Sequence, residues 1–334
     1  MMYAKKGSFR KSLLATAVLA PAMIVAGCGS SYDSRNDSGS SKSGVAYDGY
    51  LKNAKACVDV NLNKVCDAGE PSTTTIQGGI YLFDGLTEAQ ALFPLALEAT
   101  AGTTVDEDTD EAVDEDFVYV APASASTLSA FTTLIQIDTE RRIAAGATPA
   151  EAEVAAKAEL AALVGAPVGT DLTDYDAVAK SKANDSDANQ ATQLRVLNQV
   201  LTKQMIAAIN DAPAGDKSAV LNAVGKKVKD KVAVTKGVVD QKLSESGVTG
   251  PDITGETIAQ IATQTIAEAV TQVEAVTSAD IAEAVAEIKK AQAQIIAVIK
   301  EAVDEQVPDP EEPEEPTTGG TGGTGGSSGG QGTS

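Results

Sequence analysis

The sequence has no histidine, no tryptophan, three cysteines and few aromatic residues, seven Tyr and five Phe among 334 residues. Without His, and with Cys so scarce, the usual nucleophile–base pairs of covalent catalysis cannot be assembled. Carboxylates are plentiful enough for acid–base work, but no pair stands out from the rest. No glycine-rich phosphate loop stands between a strand and a helix. Positive charge is also scarce. There are 26 Lys and Arg against 47 Asp and Glu, a net charge of −21. That balance repels nucleic acid and anionic head groups, and it attracts divalent cations and basic partners. Only one long apolar run occurs, and it lies near the amino terminus.

That run fixes the expected compartment. Residues 1–11 carry Lys5, Lys6, Arg10 and Lys11, and "SLLATAVLAPAMIVAG" follows at 12–27. A basic start, a short apolar core and small residues before a break read as a secretory signal. The run is short for a membrane span, and Pro21 interrupts it. The tetrapeptide "VAGC" at 25–28 resembles the bacterial lipobox. The resemblance implies cleavage before Cys28 and lipid on its sulfur. Several acyl chains on one cysteine anchor stably, at ~0.8 kcal/mol per buried methylene. Gly29 follows, where an Asp would favour inner-membrane retention, so the outer membrane or cell surface is the expected location. The removed segment carries four basic residues and no acidic one, which takes −21 to −25.

Composition then divides the chain. Residues 1–27 read as the signal, and 28–44 as a lipidated, flexible Ser/Gly tether. Residues 45–122 read as strands, with short runs at 56–60, 79–83, 94–99 and 117–121 and most of the aromatic residues. The acidic stretch 105–116, "VDEDTDEAVDED", is a solvated hairpin loop on the plain reading and a weak second cation site on the sharper one. From 124 the chain turns Ala-rich and helical, through 307. The segment 148–165 opens on Thr148, Pro149 and Glu151, a cap, a first-turn proline and a capping-box acid. Helical spacing continues over 187–210 and 217–234, and Lys226, Lys227, Lys229 and Lys231 in the latter face either acidic neighbours or a polyanion. Two last helices span 254–277 and 278–307. In the second, Ile281, Val285, Ile288, Ile295 and Ile299 form a coiled-coil-like seam broken by Gln292, so residues 254–307 offer packing within the chain, a protein partner or self-association. The Pro/Glu and Gly/Thr/Ser tail, 308–334, cannot build a core. The expected fold class is therefore α+β, a small β domain followed by an all-α helical bundle, with disordered termini.

The most informative stretch is "CVDVNLNKVCDAGEP", residues 57–71. Counted from Asp59, Asn61 and Asn63 fall at positions three and five, Val65 at seven, Asp67 at nine and Glu70 at twelve. This is the ligand pattern of a twelve-residue calcium loop, in which a hard cation collects six to eight oxygens, the seventh position giving its carbonyl and the twelfth both carboxylate oxygens. A polar turn without metal would share the alternation. Position six, where glycine serves the sharp turn, is Lys64, which tolerates a left-handed backbone poorly and brings positive charge towards an ion. With three acids the expected affinity is weak, a dissociation constant of ~10⁻⁴–10⁻³ M. In an exported chain whose Cys28 carries lipid, Cys57 and Cys66 remain as one pair. They form either a disulfide, if their backbones come within ~7 Å, or two buried thiols.

Residues 59–86 resemble the B-type domain of serine-aspartate-repeat surface adhesins. The resemblance rests on Gly69-Glu70-Pro71 closing the loop, Gly79, Tyr81 and Phe83 in the next strand, and Gly85-Leu86 after it. It implies a prealbumin-like or immunoglobulin-like β-sandwich acting as a calcium-stiffened spacer or adhesive module, not an enzyme. Lys64 and the cysteine pair depart from that pattern. Residues 126–136 and 146–176 are similar to a helical segment that follows such domains in bacterial surface lipoproteins. The expected function is a non-catalytic envelope lipoprotein, structural or adhesive. A periplasmic or outer-membrane scaffold that binds a partner through its late helices is the alternative.

Overall fold

The computed structural model describes residues 39–183, 186–247 and 253–304. The expected signal segment, Cys28, the tether before residue 39 and the tail lie outside the described residues. Strands come first: β1 (Ser40–Ala46), β2 (Leu51–Lys52), β3 (Lys55–Val58), β4 (Ser72–Thr74) and β5 (Ile80–Leu86). One helical turn, α1 (Glu88–Ala91), precedes β6 (Leu95–Ala99), β7 (Val105–Asp106), β8 (Glu111–Ala112), β9 (Phe117–Ala121) and β10 (Thr127–Leu128). Helices follow: α2 (Ala130–Ala144), α3 (Pro149–Leu163), α4 (Ala177–Ser181), α5 (Ala188–Asn210), α6 (Lys217–Ser246), α7 (Gly255–Val270) and α8 (Ser278–Asp304). The architecture is mixed α+β, strand-rich first and helical after.

The strands form three sheets, ordered β10-β1-β5, β2-β7-β8 and β4-β3-β6-β9. In the last, β3 runs antiparallel to β4 and β6, and β6 to β9. Alternation along β9 explains how this sheet is covered. Phe117, Tyr119 and Ala121 join the main core, while Val120 meets Ala96 and the two cysteines in a small separate cluster. Successive side chains of a strand point to opposite faces, so one face of the sheet meets the helices and the other meets the cysteine pair. The Val120 N–H donates to Thr133 Oγ1 on α2 at 3.0 Å, which seats that helix against the strand.

β1 corrects the expected tether. β1 runs antiparallel to β5 from Ser40 to Val45 and parallel to β10 at Val45 and Ala46, although the Ser/Gly composition of 40–44 reads as linker. The reason is close approach. A Cβ at Gly44 would stand 2.0 Å from Ser126 O and 2.5 Å from the Tyr81 hydroxyl. Only glycine fits there, and backbone pairing rather than side-chain burial holds the strand.

α3 begins where its cap predicts, whereas α5 has no side-chain cap at Asp187 and α8 is capped by Thr277 with Asp280. Thr148 and Glu151 form a reciprocal capping box ahead of Pro149, and Ser129 with Thr132 does the same for α2. α6 is longer than its clearest periodicity suggests and ends on Gly247 in the left-handed conformation. The four lysines of its basic stretch each face acids: Lys226 pairs with Glu283, Lys227 with Glu274 and Asp280, Lys229 with Asp138 and Glu159, and Lys231 with Glu274. α7 stops at Val270, short of 277. α8 buries Ile281, Ala284, Ile288, Ala291 and Ile299 and packs mainly on α2 and α6. One core runs from Tyr47 and Leu97 through Tyr119, Phe131 and Leu197 to Val224, Ile258 and Ile288. None of the described helices is long and apolar enough to cross a membrane.

Candidate metal site

Cys57 ends up on β3 and Cys66 in the loop that follows, and they form a disulfide with Cα atoms 5.5 Å apart. Both are buried, Cys57 completely. The bridge closes a tight ring around the first half of the predicted ligand loop, and the Cys66 backbone is held from outside the ring as well. Its N–H donates to Glu98 Oε1 at 3.1 Å, and its carbonyl accepts from Lys55 Nζ at 2.6 Å. A crosslink over so short a ring contributes about 2–4 kcal/mol, largely through the unfolded chain. The Cys57→Ala/Cys66→Ala double variant should lose about that much in urea unfolding. A loss under ~0.5 kcal/mol would mean that the native contacts hold the loop unaided.

The structure brings the predicted side chains together. Asp59 is buried, and it accepts the Asn63 N–H on Oδ1 at 2.9 Å and the Lys64 N–H on Oδ2 at 2.8 Å. Asn61 Oδ1 also accepts from the Asn63 N–H, and Asn63 Oδ1 accepts from the Val65 N–H. Asp67 Oδ2 receives both Asn61 Nδ2 and Asn63 Nδ2, at 2.8 and 2.7 Å. Glu70 closes the turn, taking the Val60 N–H on Oε1 and the Asp67 N–H on Oε2, each at 3.0 Å. Burial pushes the Asp59 carboxyl up to about 6, against the pull of the Lys64 and Asn63 N–H groups. The two Asn amides hold Asp67 below the ordinary carboxylate range. Among the described residues, no three acidic or thiol side chains converge as a ready-made metal cluster. The set at 59–70 draws instead on two amides and a backbone carbonyl beside its acids. Those donors are all oxygen, as a hard cation requires, once the two amides turn away from Asp67.

Position six takes the conformation that the loop demands. Lys64 has φ +62° and Leu62 φ +60°. The expected positive charge beside the ion is not where the side chain goes. Lys64 is 3% exposed, and its Nζ meets Glu140 Oε1 and Oε2 on α2 at 2.9 and 2.7 Å and Ser218 Oγ on α6 at 3.4 Å. Glu140 is completed by Gln136 Nε2 and Asn222 Nδ2. Gln292, the polar break in the α8 seam, donates its amide to Leu62 O at 2.8 Å. The loop is thus pinned to α2, α6 and α8 by residues that loop spacing alone does not reveal. The readable signals are a lysine where glycine belongs and a lone amide in an apolar seam.

A second polar cluster is absent from the sequence reading. Arg195, Asn198, Gln199 and Thr202 recur at helical spacing on α5, and all four are buried. Arg195 pairs with Asp108 of the acidic hairpin. Asp48 accepts Thr202 Oγ1 at 2.8 Å, and Tyr119 OH and Asn198 Nδ2 at longer range, all on Oδ1. Comparison with protein-family models, curated proteins and solved structures returns no match to this chain.

Proposed function

We propose that this chain is a non-catalytic cell-envelope lipoprotein whose 59–70 loop takes calcium and thereby stiffens a structural or adhesive module. In this reading Cys28 carries the lipid, the strands form a small β-sandwich, and the helices form a bundle that presents the outer face. Asp59, Asn61, Asn63, Asp67 and Glu70 supply side-chain oxygens, and Val65 its carbonyl. The observation that carries the reading is the loop itself: alternating oxygen-bearing side chains on one turn, left-handed at the sixth position and clamped by a disulfide. A cation would replace the amide N–H groups now facing Asp67. A scaffold role is the second reading. It is favoured by Ile296 and Val298, which α8 leaves 48% and 44% exposed.

Calcium titration of the whole oxidised chain tests the metal. With a dissociation constant of ~10⁻⁴–10⁻³ M, 5 mM calcium adds about 1–2 kcal/mol to stability. That raises Tm by roughly 2–8 °C. Glu70→Ala should remove the gain, because it takes away the oxygens that close the shell. No shift at millimolar calcium would sink the metal and leave the lipid anchor to be judged separately. For the anchor, Cys28→Ser should release the chain from the membrane fraction. Protease digestion of intact cells then distinguishes a surface-exposed module from a periplasmic scaffold.

A further inference from the structure

A cleft of about 490 Å³ opens where the end of the β6–β9 pair meets the turn between α5 and α6. Ile209, Val220 and Leu221 line it from the helices, Phe117 and Val118 from the sheet, and Val65 from the loop. The volume falls within the ~300–1,000 Å³ of ligand pockets, and the walls are as apolar as such pockets are. The sheet side is also a strand edge. β9 is outermost in the order β4-β3-β6-β9. Along an antiparallel pair, residues that bond to the partner strand alternate with residues that face away from it. The Val120 N–H faces away from β6, since it donates to Thr133 Oγ1 on α2. Val118 lies two residues earlier, opposite Glu98, so its N–H and C=O face away from β6 as well. α2 meets the edge at Val120. At half-buried Val118 no backbone or side-chain group among the described residues does so. An open strand edge is a template for another strand. Most charges around the cleft are committed: Lys64 to Glu140, Glu98 Oε1 to the Cys66 N–H, and Asp116 Oδ1 to the Ala101 N–H. Lys217 differs. It is exposed at the first position of α6, and among the described residues no acid stands within ion-pair distance of it.

We propose that this cleft captures the carboxy-terminus of an extended peptide whose last side chain is apolar. The peptide backbone pairs with Val118 as an added strand, its terminal carboxylate meets Lys217, and its last side chain lies among Phe117, Ile209 and Leu221. Charge complementarity decides which end enters, because an ammonium hydrogen-bonds a carboxylate strongly and repels an amino-terminus. A fatty acid would match Lys217 and the apolar walls but would leave the Val118 N–H and C=O unpaired beneath it, and a covered polar group without a partner is costly. The peptide satisfies all three features at once. The site goes beyond the calcium reading and does not depend on it.

Fluorescence polarisation tests the site on the whole oxidised chain, with calcium chelated throughout. The probe is a labelled pentapeptide of Ser, Thr and Val that ends in valine with a free carboxylate. It should bind once per chain. Amidating its end should weaken binding about tenfold, through loss of the charged partner of Lys217. Ending it in glycine should also cost about tenfold, through loss of apolar burial. Methylating its backbone nitrogens one at a time should cost about tenfold at one position at least, because a methylated nitrogen cannot donate to the Val118 carbonyl. Lys217→Glu changes an exposed side chain and should leave the urea midpoint in place. It should weaken the free acid about tenfold and leave the amidated peptide unaffected. Absence of binding would overturn the proposal, and so would an affinity indifferent to amidation and to every methylation. Displacement of the peptide by equimolar decanoate would overturn it in favour of a cleft for amphiphiles.

Discussion

Replacing Lys64 with Met should cost the whole chain about 3–5 kcal/mol in urea unfolding, the penalty for breaking one partner out of a buried ion pair. The substitution keeps the length and the apolar stem of the side chain. What it removes is the ammonium between both oxygens of Glu140, at 2.7 and 2.9 Å, where the two side chains are 3% and 8% exposed. Gln136 and Asn222 still donate to Glu140, but neutral amides do not neutralise a buried carboxylate. The Lys64→Met/Glu140→Leu double variant should recover most of the loss, since a buried pair exchanged for apolar groups of similar size is close to neutral. Lys64→Gly separates the backbone from the charge. It relieves a left-handed residue, worth ~1–2 kcal/mol, yet still strands Glu140, so it should be less damaging than Lys64→Met while remaining destabilising. A Lys64→Met loss under ~1 kcal/mol would show that water reaches Glu140 and that the pin is weak. The lysines paired at 3.4–3.7 Å on the outer side of α6 make a useful contrast. They are partly exposed, and each should be worth no more than ~1 kcal/mol.

The same residue shows how far the sequence could be read. The twelve-position pattern identified the loop, and the left-handed demand at its sixth position, because both are local geometry. The destination of the Lys64 side chain was not legible, since Glu140 lies 76 residues away and Ser218 lies 154 away. Gln292 was legible as a polar interruption but not as a donor to Leu62 O, for the same reason. Strands β6 and β9 matched their apolar runs within a residue, and α3 matched its capping box. Local propensity and tertiary packing agree at those places. They disagree at β1. There, backbone pairing and a close approach at Gly44 demand small residues, and small residues are what make a segment resemble a linker. The polar cluster under the acidic hairpin was out of reach because Arg195, Asn198, Gln199 and Thr202 of α5 are buried where an amphipathic reading expects apolar core. Repulsion along 105–116 is real, but Arg195 and Gln199 at Asp108, with backbone N–H groups at Asp106, hold part of it in place.

Cutting the chain where composition changes, into 39–122 and 124–304, should leave neither piece with a cooperative unfolding transition. Composition suggests two bodies there, yet the core crosses the cut. Tyr47, Leu97 and Tyr119 from the strands and Phe131, Leu134 and Leu197 from the helices belong to one buried cluster, and each is at most 1% exposed. Returning such side chains to water costs about 1.5–3 kcal/mol apiece, so four of them match the ~5–15 kcal/mol that holds a whole domain. Polar ties cross the cut as well. Tyr47 OH donates to Tyr175 O at 3.0 Å, Asn198 Nδ2 reaches Tyr47 O at 3.3 Å, and β10 pairs with β1 through Val45 and Thr127. In the isolated strand piece Asp48 loses Thr202 and Asn198, and in the helical piece Arg195 loses Asp108 and is left charged in an apolar setting. The chain has no Trp, so the readout is the near-ultraviolet circular dichroism of tyrosine. It should be weak for each piece and should return when the two are mixed. A sharp urea transition from 39–122 alone, with calcium absent and the disulfide intact, would show that the strands fold by themselves, and the helices would then be a covering rather than part of the core.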